Sequence, residues 1–153
     1  MDYFNKKASD SSESVTAGGI ILYRINKNNC PEFLLLKSHR EPFHYTPPKG
    51  RLEENETFGE AAKRETLEES GISPEMYEIE KNFAKSMKYQ ANDKGKECIY
   101  FLAKLYNPTT SVVLSEEHSS YEWADLERMK RLCSHQMIID VIIQAHNHIT
   151  HTP

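Results

Sequence analysis

The chain has 153 residues, 38% hydrophobic and 27% charged, enough apolar material for one domain with a buried core. A formal net charge of −4 argues against a protein that grips nucleic acid through a basic surface, and no apolar run approaches the roughly 20 residues that span a bilayer. The polar start MDYFNKKASDSSES holds no signal-peptide core, so the expectation is a soluble, cytoplasmic monomer whose three separated cysteines, Cys30, Cys98 and Cys133, stay reduced and serve packing.

In chain order, residues 1–14 are polar and Ser-rich and read as a flexible tail, with a single domain expected over residues 15–150. VTAGGIILYRI and EFLLLKS read as two strands joined by the turn NKNNCP. REPFHYTPPKGRLEENE carries three prolines and a glycine and reads as a loop that presents side chains. A helix follows. TFGE, Thr57 to Glu60, has the capping-box pattern, and Phe58, Ala62 and Thr66 recur at intervals of four as its buried face. Gly71 suits the left-handed residue that ends it. MYEIEKNFAKSMKYQA and ECIYFLAKLY read as long strands around the turn NDKGK, and SYEWADL as a short strand. In the last helix Ser134 can cap, while Met137, Ile138, Val141, Ile142 and Ala145 form an apolar stripe for core packing. These elements give the α/β class, a mixed sheet between helices.

Within the first helix, RETLEESG sets Glu65 beside both Glu68 and Glu69, because residues three and four apart are neighbours on a helix. Such pairs repel by roughly 0.2–0.5 kcal/mol when solvent screens them. A solvated acidic face is one account of such a run. A cage for hard divalent cations, which prefer oxygen ligands, is the other.

The longer pattern favours the cage. GRLEENETFGEAAKRETLEESGI, Gly50 to Ile72, places Gly50, Glu56, Arg64-Glu65, Glu68-Glu69 and Gly71 at spacings that resemble the Nudix box. Thr66 is the one departure, standing where that pattern has an aliphatic residue. The resemblance implies a Nudix-type α/β/α sandwich and metal-dependent hydrolysis of a diphosphate bond, with magnesium, or manganese in its place, as cofactor. Its catalytic residues are then Glu65, Glu68 and Glu69, with Arg64 pinning loop to helix through an ion pair with Glu56. Glu65 and Glu69 ligate, and Glu68 either joins them or acts as the base.

The flank HYTPPKG, His44 to Gly50, resembles the W-T-P-P-K-G of the asymmetrical diadenosine tetraphosphate hydrolases, with Tyr45 in place of the tryptophan. This implies cleavage of diadenosine tetraphosphate to ATP and AMP. By the same resemblance His44 and Lys49 meet phosphates, Tyr89 stacks on adenine, Lys94 and Lys96 bind phosphate from a loop, and Glu117, rather than Glu116, joins Glu65, Glu68 and Glu69 as a metal ligand. The partner is a small nucleotide, with neither nucleic acid nor membrane. Rival substrates are capped or triphosphorylated RNA ends and diphosphoinositols, and a rival of another class is an inactive nucleotide- or RNA-binding module. His39, His135, His146, His148 and His151 fit no ligand spacing and read as surface, and His118 is left open.

Overall fold

The computed structural model describes residues 2–8 and 14–151. Strand β1, Ser14–Ile25, runs through the middle of a mixed sheet and is paired along its length with β6, Lys94–Leu105, in parallel. On its other edge two antiparallel strands succeed each other: β4, Lys49–Arg51, beside Ala17–Gly19, and β2, Pro31–Ser38, beside Tyr23–Ile25. β5, Tyr77–Ala91, pairs antiparallel with β6, while β3, Tyr45–Thr46, and β7, His118–Ala124, both pair with β2.

Successive strand residues face opposite sides, and in this sheet both sides are apolar. Ile20, Leu22, Leu34, Leu36, Ile99 and Phe101 form one core beneath helix α1, Phe58–Ser70, whose Phe58 and Ala62 complete it. Their alternates Ile21, Phe33, Leu35, Tyr100 and Leu102 form a second core with Ile138, Val141, Ile142 and Ala145 of helix α3, Gln136–His151. Two faces each covered by a helix give the expected α/β/α sandwich.

The expected α1 forms as its sequence dictates. The Thr57 hydroxyl accepts the Glu60 N–H, the Glu60 carboxylate accepts the Thr57 N–H, and Gly71 ends the helix at φ 74°. Thr66 is fully buried and donates its hydroxyl to the Ala62 carbonyl, which is how a polar residue stands in an aliphatic position.

Several details depart from expectation. The 40–56 loop contains β3 and β4, and a short helix α2, Leu126–Leu132, capped by Asp125, follows β7. The β5–β6 turn is just Asn92-Asp93, both at positive φ, so Lys94 and Lys96 lie on β6 rather than in a loop. The first turn of α3 closes on the His135 carbonyl, one residue after Ser134. Cys30 is exposed, while Cys98 and Cys133 are buried free thiols.

Residues 2–8, read as part of a tail, pack on α1. Phe4 meets Phe101 edge-on at 5.0 Å, and the Lys6 and Phe4 carbonyls accept the Phe58 and Gly59 N–H groups that the helix itself leaves unpaired. Of the rest of that tail, residues 1 and 9–13 lie outside the described residues, and Ser14 opens β1. No helix among the described residues is long and apolar enough to cross a membrane.

Candidate active site

The loop before α1 is fastened to it by Arg64. The guanidinium takes Glu56 in a two-pronged grip, Nε to Oε2 at 2.8 Å and Nη2 to Oε1 at 2.9 Å, and Nη2 also donates to the Arg51 carbonyl at 2.8 Å. Its Nη1 reaches Glu65 at 2.7 Å and Glu68 at 3.3 Å. This paired guanidinium holds the Glu56 carboxyl below the ordinary carboxylate range. The Glu56–Arg64 ion pair expected from sequence is thus present, and one cation lies among carboxylates that would otherwise repel.

The three helix glutamates separate by environment. Glu68 is 56% exposed and faces solvent beside Arg64. Glu65 lies against Gly50, where even a methyl group on the glycine would collide with its carboxylate. Burial pushes the Glu65 carboxyl up, Arg64 pulls it down, and the neighbouring Glu68 and Glu117 push it up again. Glu69 is only 5% exposed, its Oε1 accepts the Lys49 backbone N–H at 3.1 Å, and burial, reinforced by Glu65 and Glu117, pushes its carboxyl to about 8. Buried oxygens that repel one another fit a hard divalent cation, since its charge would remove the electrostatic cost of ionising them. The fit requires adjustment: among the described residues no three such groups stand together at ligating positions.

Glu69 opens into a cavity of about 240 Å³, also lined by Glu117, His118, Lys49, His44 and Thr46. Glu116 is not on its wall. A second cavity of about 450 Å³ shares His44, Thr46 and Lys49 with the first and extends to Tyr89, Lys96 and His135. There the Tyr89 and His135 rings meet edge-on at 5.6 Å. The structure therefore brings together Glu69, Glu117, His44 and Lys49 around the acidic cavity, and Tyr89 and Lys96 around the aromatic one, while Glu65 stays off the cavity wall but near enough for its charge to act on Glu69. Lys94 opens β6 at the exposed hairpin tip and lines neither cavity. His44 is oriented through Nδ1, 2.7 Å from the Pro42 carbonyl.

Sequence reading missed two site residues. His135, taken as surface, closes the aromatic cavity because the start of α3 packs over β5, a contact with no local signature. His118, left open, lines the acidic cavity beside Glu117, and burial lowers its affinity for a proton. His146 and His148, also taken as surface, pack against Phe33 and Phe83.

A family model described as NUDIX domain matches residues 14–141. Bis(5'-nucleosyl)-tetraphosphatase [asymmetrical] of Caenorhabditis elegans is 42% identical over 113 residues, 74% of this chain and 80% of the relative. The mouse (Mus musculus) protein of the same name is 33% identical over 145 residues, 92% of this chain and 99% of the relative. The crystal structure of a C. elegans Ap4A hydrolase binary complex superposes with a TM-score of 0.85 at 34% identity, covering 90% of this chain and 99% of that one. With the glutamate-bearing helix, the Glu56–Arg64 fastening and the sandwich all in place, the chain belongs to the Nudix family.

Proposed function

We propose that this protein hydrolyses dinucleoside polyphosphates, diadenosine tetraphosphate in the first place, to ATP and AMP. The observation that carries the reading is the continuity of the two cavities through Lys49 and His44: an aromatic chamber sized for a nucleoside leads past these two side chains to the carboxylates of Glu69 and Glu117. The names of the relatives support the same substrate class.

In this reading Tyr89 binds a base by stacking, and Lys96, Lys49 and His44 receive the phosphate chain as it runs toward the acidic cavity. Glu65, Glu69 and Glu117 would hold divalent cations, magnesium in the first place, with Glu68 as a further ligand or the base. Bound there, such an ion neutralises phosphate oxygens and makes the attacking water more acidic. Water oxygen bonds to one phosphorus, the bond from that phosphorus to a bridging oxygen breaks, and a nearby carboxylate takes the released proton. Arg64 and Glu56 touch none of the reacting atoms and act by holding the loop and Glu65 in position.

The test is product identification. With magnesium and diadenosine tetraphosphate, the purified protein should release ATP and AMP in equal amounts. Release of two ADP, or greater turnover of capped RNA or a diphosphoinositol at equal concentration, overturns the substrate, and no turnover of any of them overturns the enzyme reading.

A further inference from the structure

A third hollow lies on the other side of the carboxylates. It is an open cleft of about 1020 Å³ between Ser38, His39 and Arg40 at the end of β2 and the Glu116-Glu117 turn with the first residues of β7, His118 and Ser119. It shares Ser38, Glu117 and His118 with the acidic cavity, just as the aromatic cavity shares His44, Thr46 and Lys49 with it. The acidic centre is thus flanked by two contiguous spaces of different chemistry, whereas a substrate carrying one nucleoside would need one.

We infer that the Ser38–Arg40 and Glu116–Ser119 cleft receives the second mononucleotide of the substrate, the part released as AMP, with Arg40 as the counter-ion of its phosphate. This rests on the activity proposed above. The cleft exceeds the bulk of a mononucleotide and stands open, as release of a product requires. Its cation is available: Arg40 forms no ion pair among the described residues, although Glu116 and Glu117 line the same cleft. A guanidinium left without a carboxylate, on a wall continuous with a phosphate path, suits two-pronged phosphate contact.

The turn that carries Arg40 is held in place. The Ser38 hydroxyl lies 3.2 Å from the Arg40 and Pro42 carbonyls and accepts the His44 N–H at 3.0 Å, while the His39 N–H donates to the Glu117 carbonyl at 2.9 Å. The same hydrogen bond ties the Arg40 turn to the loop bearing Glu117. Glu116, which lines this cleft and not the acidic cavity, is placed to accept ribose hydroxyls.

The lysines and the arginine order the two halves. Lys96 and Lys49 line the aromatic side, fitting the longer phosphate chain, whereas Arg40 stands beside Glu116 and Glu117 in the cleft, which fits one phosphate. Neither tyrosine nor tryptophan lines the cleft, so the base at this end is gripped less than the one beside Tyr89.

The experiment compares steady-state hydrolysis of diadenosine tetraphosphate by wild type, Arg40→Gln and Lys27→Gln, the last removing a charge from the remote β1–β2 turn. Product inhibition by AMP and by ATP is measured for each. Arg40→Gln should raise KM about tenfold, as expected for one lost charge-assisted hydrogen bond, and weaken AMP inhibition by a similar factor. ATP inhibition should shift far less, and Lys27→Gln should match wild type. The assignment falls if Arg40→Gln behaves like Lys27→Gln, or if it weakens ATP inhibition as much as AMP inhibition. A wild type without turnover overturns the activity and the cleft with it, so the two failures give different readouts.

Discussion

At Glu69, burial and charge oppose ionisation together. Its carboxyl keeps a proton up to about pH 8 in the folded protein, against 4.5 for the ordinary group, so unfolding releases a proton between those values. Stability therefore falls as pH rises from about 4.5 to about 8, by an amount on the order of a few kcal/mol. His118 and His146, whose proton affinity burial lowers, act in the opposite direction around neutrality, so the informative quantity is a difference between proteins. In chelator, urea unfolding at pH 5.5 and pH 8 should show a decline for wild type that Glu69→Gln largely removes. The same variant should lose metal-dependent hydrolysis, and magnesium at pH 8 should stabilise wild type more than it stabilises the variant. Gly50 gives a second residue-scale expectation. An added Cβ displaces the Glu65 carboxylate, a movable side-chain end, rather than backbone. Gly50→Ala should consequently retain its circular dichroism spectrum and melt near wild type while kcat drops by about a hundredfold, on the order of a misplaced catalytic group.

Among the elements, α1 was legible nearly residue by residue because its signals are local: a capping box, an i, i+4 apolar face, a glycine at the end. The pairing of Arg64 with Glu56 was legible from the resemblance to a known pattern and is present at 2.8 Å. The amino-terminal segment was not legible. Its polar composition concealed two aromatics, Tyr3 and Phe4, and whether such residues find a partner depends on Phe101 and Gly59, distant in sequence. Phe4 is partly buried, so Phe4→Ala should cost about 1–2 kcal/mol, below the range for a fully buried Phe. Hydrogen exchange should show the loss at its steepest in the amides of Phe58 and Gly59, whose acceptors are the segment's carbonyls.

Across the whole molecule, what sequence could not supply was the juxtaposition of loops. Glu117, His135 and Lys49 come from three separate stretches, and sandwich packing alone sets the first and third around one cavity and the second and third around the next. On the proposed reading, that arrangement separates binding from chemistry. Tyr89→Ala should raise KM about tenfold with kcat little changed, since stacking one base is worth roughly 1–3 kcal/mol and the ring lies outside the acidic cavity. Lys96→Ala should raise KM more than Lys94→Ala, because Lys96 lines the aromatic cavity and Lys94 sits at the hairpin tip. Both outcomes are read from initial rates against substrate concentration.

The parallel pairing of β1 with β6 has a bearing on biosynthesis. Ser14–Tyr23 leaves the ribosome 81 residues ahead of its parallel neighbour Gly95–Lys104. Until then one edge of β1 is unpaired, and the core beneath the acidic helix lacks Ile99 and Phe101. Long-range pairing of this kind is slow and exposes the nascent polypeptide to self-association, so a ribosome stalled within β5 should display a chaperone client rather than a half-built enzyme.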